Sequence, residues 1–302
     1  MRYRPFGRSG LALSTIGLRL SRLKIGGNVG LLNKLIMAGL ENGVNTYHFD
    51  TTAPDFLRAA AQAFSVVERR LLFVSADAQE AGQACDSTGY ALRPLKERLR
   101  AAIKDTGLQA LDLLMFSPPG ALQLPADTLS FLDSLKRARM LRYIGARGDA
   151  GDMALLIADG HFNVIETSFD IDSTWDKRHQ IDRAVQSEIT VIGGDFFPDA
   201  YRKASDVVPK AARRGWFGAK PENPLAGAGT HAFLHTTPDW TPQELCLGYA
   251  LAQPSLSCVF IDAETPQQIE ALCAVSERAL PSSVPAQIEM ARFNDQIGAA
   301  RR

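Results

Sequence analysis

The sequence predicts an α/β fold closed as a (β/α)8 barrel and preceded by a β-hairpin. Three observations carry this. Eight short, nearly continuous apolar runs recur along the chain, which is how strands buried on both faces of a parallel sheet read. Longer stretches of helical period separate them. The 302 residues suit one such barrel, which typically takes about 250.

The strand-like runs are STIGLRL (14–20), VNTYHFD (44–50), LLFVSA (71–76), LDLLMFS (111–117), LRYIGAR (141–147), FNVIETS (162–168), ITVIGG (189–194) and SCVFID (257–262). Between them, residues 31–41, 57–67, 92–103, 129–138 and 242–252 place apolar side chains three and four apart, as amphipathic helices do. Gly43 and Gly107 each follow a helical stretch and precede a strand, where a helix C-terminus takes glycine. Eight alternations favour a closed barrel over a doubly wound open sheet. No strand is followed by GxGxxG, and Gly227-Ala228-Gly229 has no strand before it. Residues 1–13 (MRYRPFGRSGLAL) read as a hairpin turning at Gly7 to Gly10. Residues 196–240, after the seventh strand, scatter Pro, Gly and aromatics and are expected to cover the C-terminal face as a long loop. No linker divides the chain, so 1–302 is read as a single domain.

Lys plus Arg and Asp plus Glu both total 33. A neutral chain argues against a nucleic-acid partner, which calls for a basic patch or stripe. Arg213-Arg214 reads as solvated surface. The four cysteines, 85, 246, 258 and 273, have no CxxC spacing; a reduced, cytoplasmic setting is expected, with no disulfide framework. The first twenty residues are Arg-rich and lack an apolar core of signal-peptide length. No apolar run is long enough to cross a membrane.

Four segments, in order and in register, resemble the aldo-keto reductases. RPFGRSGLALSTIGL is similar to their opening, LRPLKERLRAAIKDTGLQALDLLMF to their third helix and fourth strand, and LRYIGAR to their fifth strand. TPQELCLGYALAQPSLSCVFIDAETPQQIEAL is similar to their last helix, strand and cofactor-facing helix. The similarity runs from residue 1 to about residue 272. It implies a TIM barrel with its site at the C-terminal ends of the strands, and NADPH-dependent carbonyl reduction. In that family a Tyr protonates the developing alkoxide, a Lys–Asp pair tunes the Tyr, and a His orients the carbonyl.

Position by position, the resemblance supplies little of this machinery. Asp50 in HFDTTAPDF stands at the family's Asp. The Tyr position falls on Asp55 or Phe56. The Lys should end the third strand, where Ser75, Ala76 and Asp77 stand. The His position is Ser117. At the cofactor positions, Arg147-Gly148 replaces Ser-Asn and Glu166 replaces Gln. Gly193-Gly194 stands at the stacking aromatic, and Asp262-Ala263-Glu264 where the adenosine phosphate is held. Carboxylates repel a phosphate. Arg19-Leu20 replaces Gly-Thr and would put a cation where the nicotinamide lies.

Strand ends thus bring Arg19, Asp50, Asp77, Ser117, Arg147, Glu166, Asp195 and Asp262 to the barrel mouth. They form either a polar ligand pocket or a set of ion pairs, such as Asp50 or Glu166 with Arg147, since a buried carboxylate must find a partner or become neutral. His48 lies two residues before Asp50 and is expected in a deeper layer. His231 and His235 have a metal-compatible spacing but no further ligand nearby in sequence. Phe196, Phe197, Trp216, Phe217 and Trp240 line either a lid or the packing beneath the long loop.

The leading reading is an aldo-keto-reductase-like barrel with a degenerate site. It would bind a small molecule or a partner protein at its C-terminal face and need no cofactor, NADPH being implied only if the family activity is retained. One alternative is an NAD(P)H-dependent oxidoreductase in which Asp50, with Asp55 or Ser117, carries proton transfer. The other is a non-redox lyase or isomerase using the carboxylate and Arg147 pocket.

Overall fold

Each apolar run becomes a strand because both of its faces are buried. In the computed structural model, which describes residues 1–79, 90–199, 201 and 229–300, the barrel strands are β3 (Ile16–Leu20), β4 (Thr46–Phe49), β5 (Phe73–Asp77), β6 (Leu111–Phe116), β7 (Leu141–Arg147), β8 (Val164–Ser168), β9 (Thr190–Gly194) and β10 (Leu256–Asp262). They pair in parallel in chain order, and β10 returns to β3 with Val259 opposite Ile16, closing the barrel. The expected hairpin is β1 (Tyr3–Pro5) and β2 (Ala12–Ser14), paired antiparallel.

Helices cover the outside. The expected ones occupy Val29–Glu41, Pro54–Phe64, Leu92–Lys104, Ala126–Arg137 and Pro242–Ala252. Thr241 with Glu244, and Thr265 with Gln268, form capping boxes that start the last two barrel helices, each with Pro in the first turn; these satisfy donors a helix start otherwise leaves unpaired. Helices Ala150–Asp159, Trp175–Gln186 and Ser283–Ala300 complete the layer. Of the 196–240 segment, residues 200 and 202–228 lie outside the described residues, with Arg213, Arg214, Trp216, Phe217 and Gly227; so does Cys85. The other three cysteines are free and buried. Among the described residues no helix is long and apolar enough to cross a membrane.

Alternate residues of each strand point inward, so the barrel interior fills in layers. Phe6 and Leu13 of the hairpin, with Phe73, Leu113, Met115, Val164, Ile192, Cys258 and Phe260, make a buried apolar cluster. The Phe6 ring lies 4.9 Å from Phe73 and 4.8 Å from Tyr143, so the hairpin plugs the N-terminal end. Higher up, a Cβ on Gly17 would meet the Phe260 ring at 2.8 Å; the missing side chain makes room for that ring. The barrel is a packed core, closed among the described residues at its N-terminal end by the hairpin. Just outside the barrel, Asp112 accepts from Arg69 (2.8 Å), Arg142 (3.2 Å) and the Val74 N–H (2.9 Å), tying the strand starts together.

Phe6→Ala removes the plug and leaves a cavity in a closed apolar layer. The expected loss is about 3–5 kcal/mol of unfolding free energy, read from the denaturation midpoint with an unchanged slope.

Candidate functional site at the barrel mouth

The layer above Phe260 is ionic. Glu166, in the middle of β8, points into the barrel and is almost fully buried, at 2% exposure. Arg19 from β3 donates to its Oε1. Arg147, paired with Glu166 in the β7–β8 register, donates to Oε2 at 3.4 Å. Burial alone would raise the Glu166 carboxyl, but Arg147 and then Arg19 hold it down at about 2. Glu166 in turn raises the Arg147 guanidinium above its ordinary range, against the opposing effect of burial.

The network spreads from this centre. Arg147 also reaches Asp77 at the end of β5, at 3.3 and 3.4 Å. Arg19 reaches Asp195 at 3.3 Å and Asp262 at 3.8 Å, and Lys24 lies 4.0 Å from Asp262. Beneath, the His48 ring lies 5.2 Å from Phe260. Ser75 Oγ donates to the Tyr47 carbonyl at 3.2 Å and lies 3.0 Å from His48 Nδ1. His48 Nε2 then faces Asp77 at 3.3 Å and Arg147 at 3.4 Å. Burial pushes the Asp77 carboxyl up, yet His48 and Arg147 pull it below its ordinary value. The space for the central pair comes from Gly194: a Cβ there would stand 2.7 Å from Arg19 Nη2 and 3.2 Å from Glu166 Oε1.

The structure therefore gathers Arg19, Asp77, Arg147, Glu166, Asp195 and Asp262 into one network. It does not bring Asp50, Asp55, Phe56 or Ser117 into it. Asp50 accepts from the Arg22 backbone N–H at 2.8 Å, and not from Arg147. Asp55 pairs at the surface with the Arg22 guanidinium at 2.9 Å. Phe56 is buried edge-on against Phe49 at 6.0 Å. The Ser117 N–H donates to the Tyr90 hydroxyl at 2.9 Å. His231 bonds Tyr201 through Nδ1 at 2.9 Å and lies 3.6 Å from Asp172, and no metal-competent group of His, Cys, Asp and Glu occurs among the described residues. Sequence reasoning placed His48 in a deeper layer, which is where it lies, but missed that its ring reaches up to Asp77 and Arg147.

A second polar cluster, which sequence reasoning missed, lies on the lip. Ser168 at the end of β8 donates to Asp149 at 2.9 Å and accepts from Lys177, which also reaches Asp149 at 3.2 Å. The signal available was the two-residue step from Arg147 to Asp149 and from Glu166 to Ser168, which keeps all four on one side of adjacent strands.

Comparison with solved structures places this architecture among the aldo-keto reductases. The holo form of an aldo-keto reductase from Bacillus halodurans superimposes with a TM-score of 0.72 at 16% identity, covering 96% of each chain. Its apo form gives 0.67 at 17% identity. A protein of Pseudomonas aeruginosa assigned to the same family gives 0.64 at 13% identity, covering 92% of this chain and 95% of that one. The chain has the aldo-keto reductase barrel fold. No family model matches the sequence, and no curated protein matches it.

The folded Glu166 carboxyl titrates near 2, below its ordinary 4.5. Its contribution to stability is thus complete above about pH 4.5 and is lost as the pH falls toward 2; integrated, this is on the order of 3 kcal/mol. Glu166→Gln is expected to flatten that acid segment of the stability–pH curve. At pH 7 it should cost about 3–5 kcal/mol, because two guanidiniums are left facing a neutral group. Denaturant unfolding at a series of pH values checks both.

Proposed function

We propose that this chain is an aldo-keto-reductase-like barrel that does not carry out NADPH-dependent carbonyl reduction and that instead binds a small polar molecule in the mouth of its barrel. One observation carries the reading: the closed Arg19–Glu166–Arg147–Asp77–His48 network stands where the resemblance puts the nicotinamide and its contacts.

The residues present do not fit a nicotinamide dinucleotide. Arg19 fills the inner mouth, and its guanidinium is tied to Glu166, Asp195 and Asp262. At the end of β10 the donors that would meet a phosphate are already taken. Gln268 Oε1 accepts from the Glu264 and Thr265 N–H groups, and Thr265 Oγ1 from the Gln268 N–H. Asp262 and Glu264 add negative charge beside them, and charge of that sign repels a phosphate. Proton transfer from the Tyr position is equally unsupported, since Phe56 is turned into the core and Asp55 is held at the surface.

Ligand binding is supported by the incomplete saturation of Arg147. Its side chain is 36% exposed, and its bonds to Asp77, Glu166 and His48 are all 3.3–3.5 Å long, beyond the usual 2.7–3.2 Å for such donors. A ligand oxygen can take up this unused donor capacity while the floor of the mouth stays intact.

Titration with NADPH should give no saturable fluorescence enhancement, and a panel of aldehydes should give no NAD(P)H consumption; tight, saturable binding overturns the proposal. In a thermal-shift screen of small polar metabolites, a compound that raises the melting temperature should bind about tenfold or more weakly to Arg147→Ala, the loss of one charge-assisted bond.

A further inference from the structure

We propose that Ser168, Asp149 and Lys177 form a nucleophilic centre on the lip of the barrel, with Ser168 Oγ taking the acyl group of a small carboxylic ester. It rests on the reading that the mouth receives a small molecule, and it names the class.

The placement follows from the β7–β8 register. Arg147 pairs with Glu166, and two residues further along each chain Asp149 and Ser168 meet one layer higher. Lys177 reaches them from the first turn of the helix Trp175–Gln186, where Thr174 accepts its backbone N–H at 3.3 Å. Ser168, the last residue of β8, is half-buried.

Two local preferences are set aside to build this cluster. Lys177, with its side chain only 11% exposed, is a cation at the positive end of a helix, where the dipole disfavours it. Asp149 is the N-cap of the helix Ala150–Asp159 yet makes no capping bond, although a capping Asp is ordinarily worth about 1 kcal/mol. Its carboxylate is spent on Ser168 and Lys177 instead. Conflicts between local rule and structure gather at functional sites.

The geometry suits acyl transfer. The Ser168 proton already points at a carboxylate, and an ammonium donates to the oxygen whose charge must grow. Asp149 is turned away, so the first-turn amides of the helix Ala150–Asp159 carry no side-chain cap; the Asp152 N–H is taken by the Asp149 carbonyl at 2.9 Å, which leaves the amides of Ala150 and Gly151 to face a developing oxyanion, a charge that such amides stabilise. In the acylation step Ser168 Oγ bonds to the ester carbonyl carbon while its proton passes to Asp149. The carbon–oxygen bond to the alcohol breaks, and the alcohol leaves with that proton. Water then adds to the acyl carbon and gives a proton to Asp149. The bond to Ser168 Oγ breaks, Oγ recovers the proton, and the acid departs. The net change is ester plus water to acid plus alcohol, with no oxidant or further reactant.

The test uses the full chain with p-nitrophenyl acetate and a fluorophosphonate probe. The expected result is a stoichiometric burst of p-nitrophenol and probe attached to Ser168, located by peptide mass spectrometry. Ser168→Ala should abolish both. Asp149→Asn should slow acylation by about a hundredfold or more, the worth of a placed base, and Asp149→Glu should recover part of it. Native protein labelled no better than denatured protein, or labelling that survives Ser168→Ala, overturns the proposal. If Ser168→Ala does not fold, Ser168→Cys keeps the question open to refutation. Its new thiol should react with iodoacetamide faster than any thiol of the parent protein, and equal rates count against the centre. Neither probe contains a nicotinamide, so the result is separable from the NADPH titration and from the thermal-shift screen.

Discussion

Glu166 is the constraint around which the upper barrel is built. A carboxylate with 2% exposure must be neutralised by protonation or by partners, and the desolvation of a lone buried charge costs several kcal/mol. Here it is held by partners, with Arg19 on one oxygen and Arg147 on the other. Everything nearby answers to that choice. Gly194 leaves out a side chain so that the Arg19–Glu166 pair has room. Asp77, Asp195 and Asp262 divide what remains of the two guanidinium charges. A buried ion network of this kind contributes little net stability compared with an apolar layer, but it fixes the positions of Arg19, Asp77, Arg147 and Glu166 at the barrel mouth.

The layers of the barrel then have separate duties. The hairpin and the apolar cluster close the N-terminal end. The His48 and Phe260 layer passes from apolar to polar, since one face of His48 lies on a ring and its nitrogens lie in the network. The ionic layer above forms a floor, and the Asp149–Ser168–Lys177 cluster stands on the lip. The same fold in the aldo-keto reductases is therefore a scaffold for this chain; a barrel supports many chemistries because its loops and strand ends vary independently of its core.

Much of this was legible in the sequence, for identifiable reasons. The eight strands were readable because burial on both faces leaves continuous apolar runs; six observed strands fall inside the runs expected, while β5 ends one residue later, at Asp77, and β10 starts one residue earlier, at Leu256. Arg19, Asp77, Arg147, Glu166, Asp195 and Asp262 were readable as mouth residues because each ends or interrupts such a run. The pairing of Glu166 with Arg147 follows from adjacent strands, but the choice of Arg22 by Asp50 depends on a four-residue helix, Arg22–Ile25, that leaves no periodic trace. Lys177 was not legible at all. It sits in the polar segment WDKRHQ, where one lysine looks like any other, and only the entry angle of the helix Trp175–Gln186 decides that this one turns inward.

The closure of the sheet by β10 against β3 also governs how the protein must be made. Ile16 finds Val259 only after nearly the whole barrel has been synthesised, and Arg4 donates to the carbonyls of Leu251, Gln253 and Leu256 across the same gap. Until then β3 and β9 present open edges with unpaired backbone groups, which are templates for association with another chain. Contacts of such sequence separation form late and slowly. Pairing of β10 with β3 on one side and β9 on the other is therefore what removes the last open edges from the sheet.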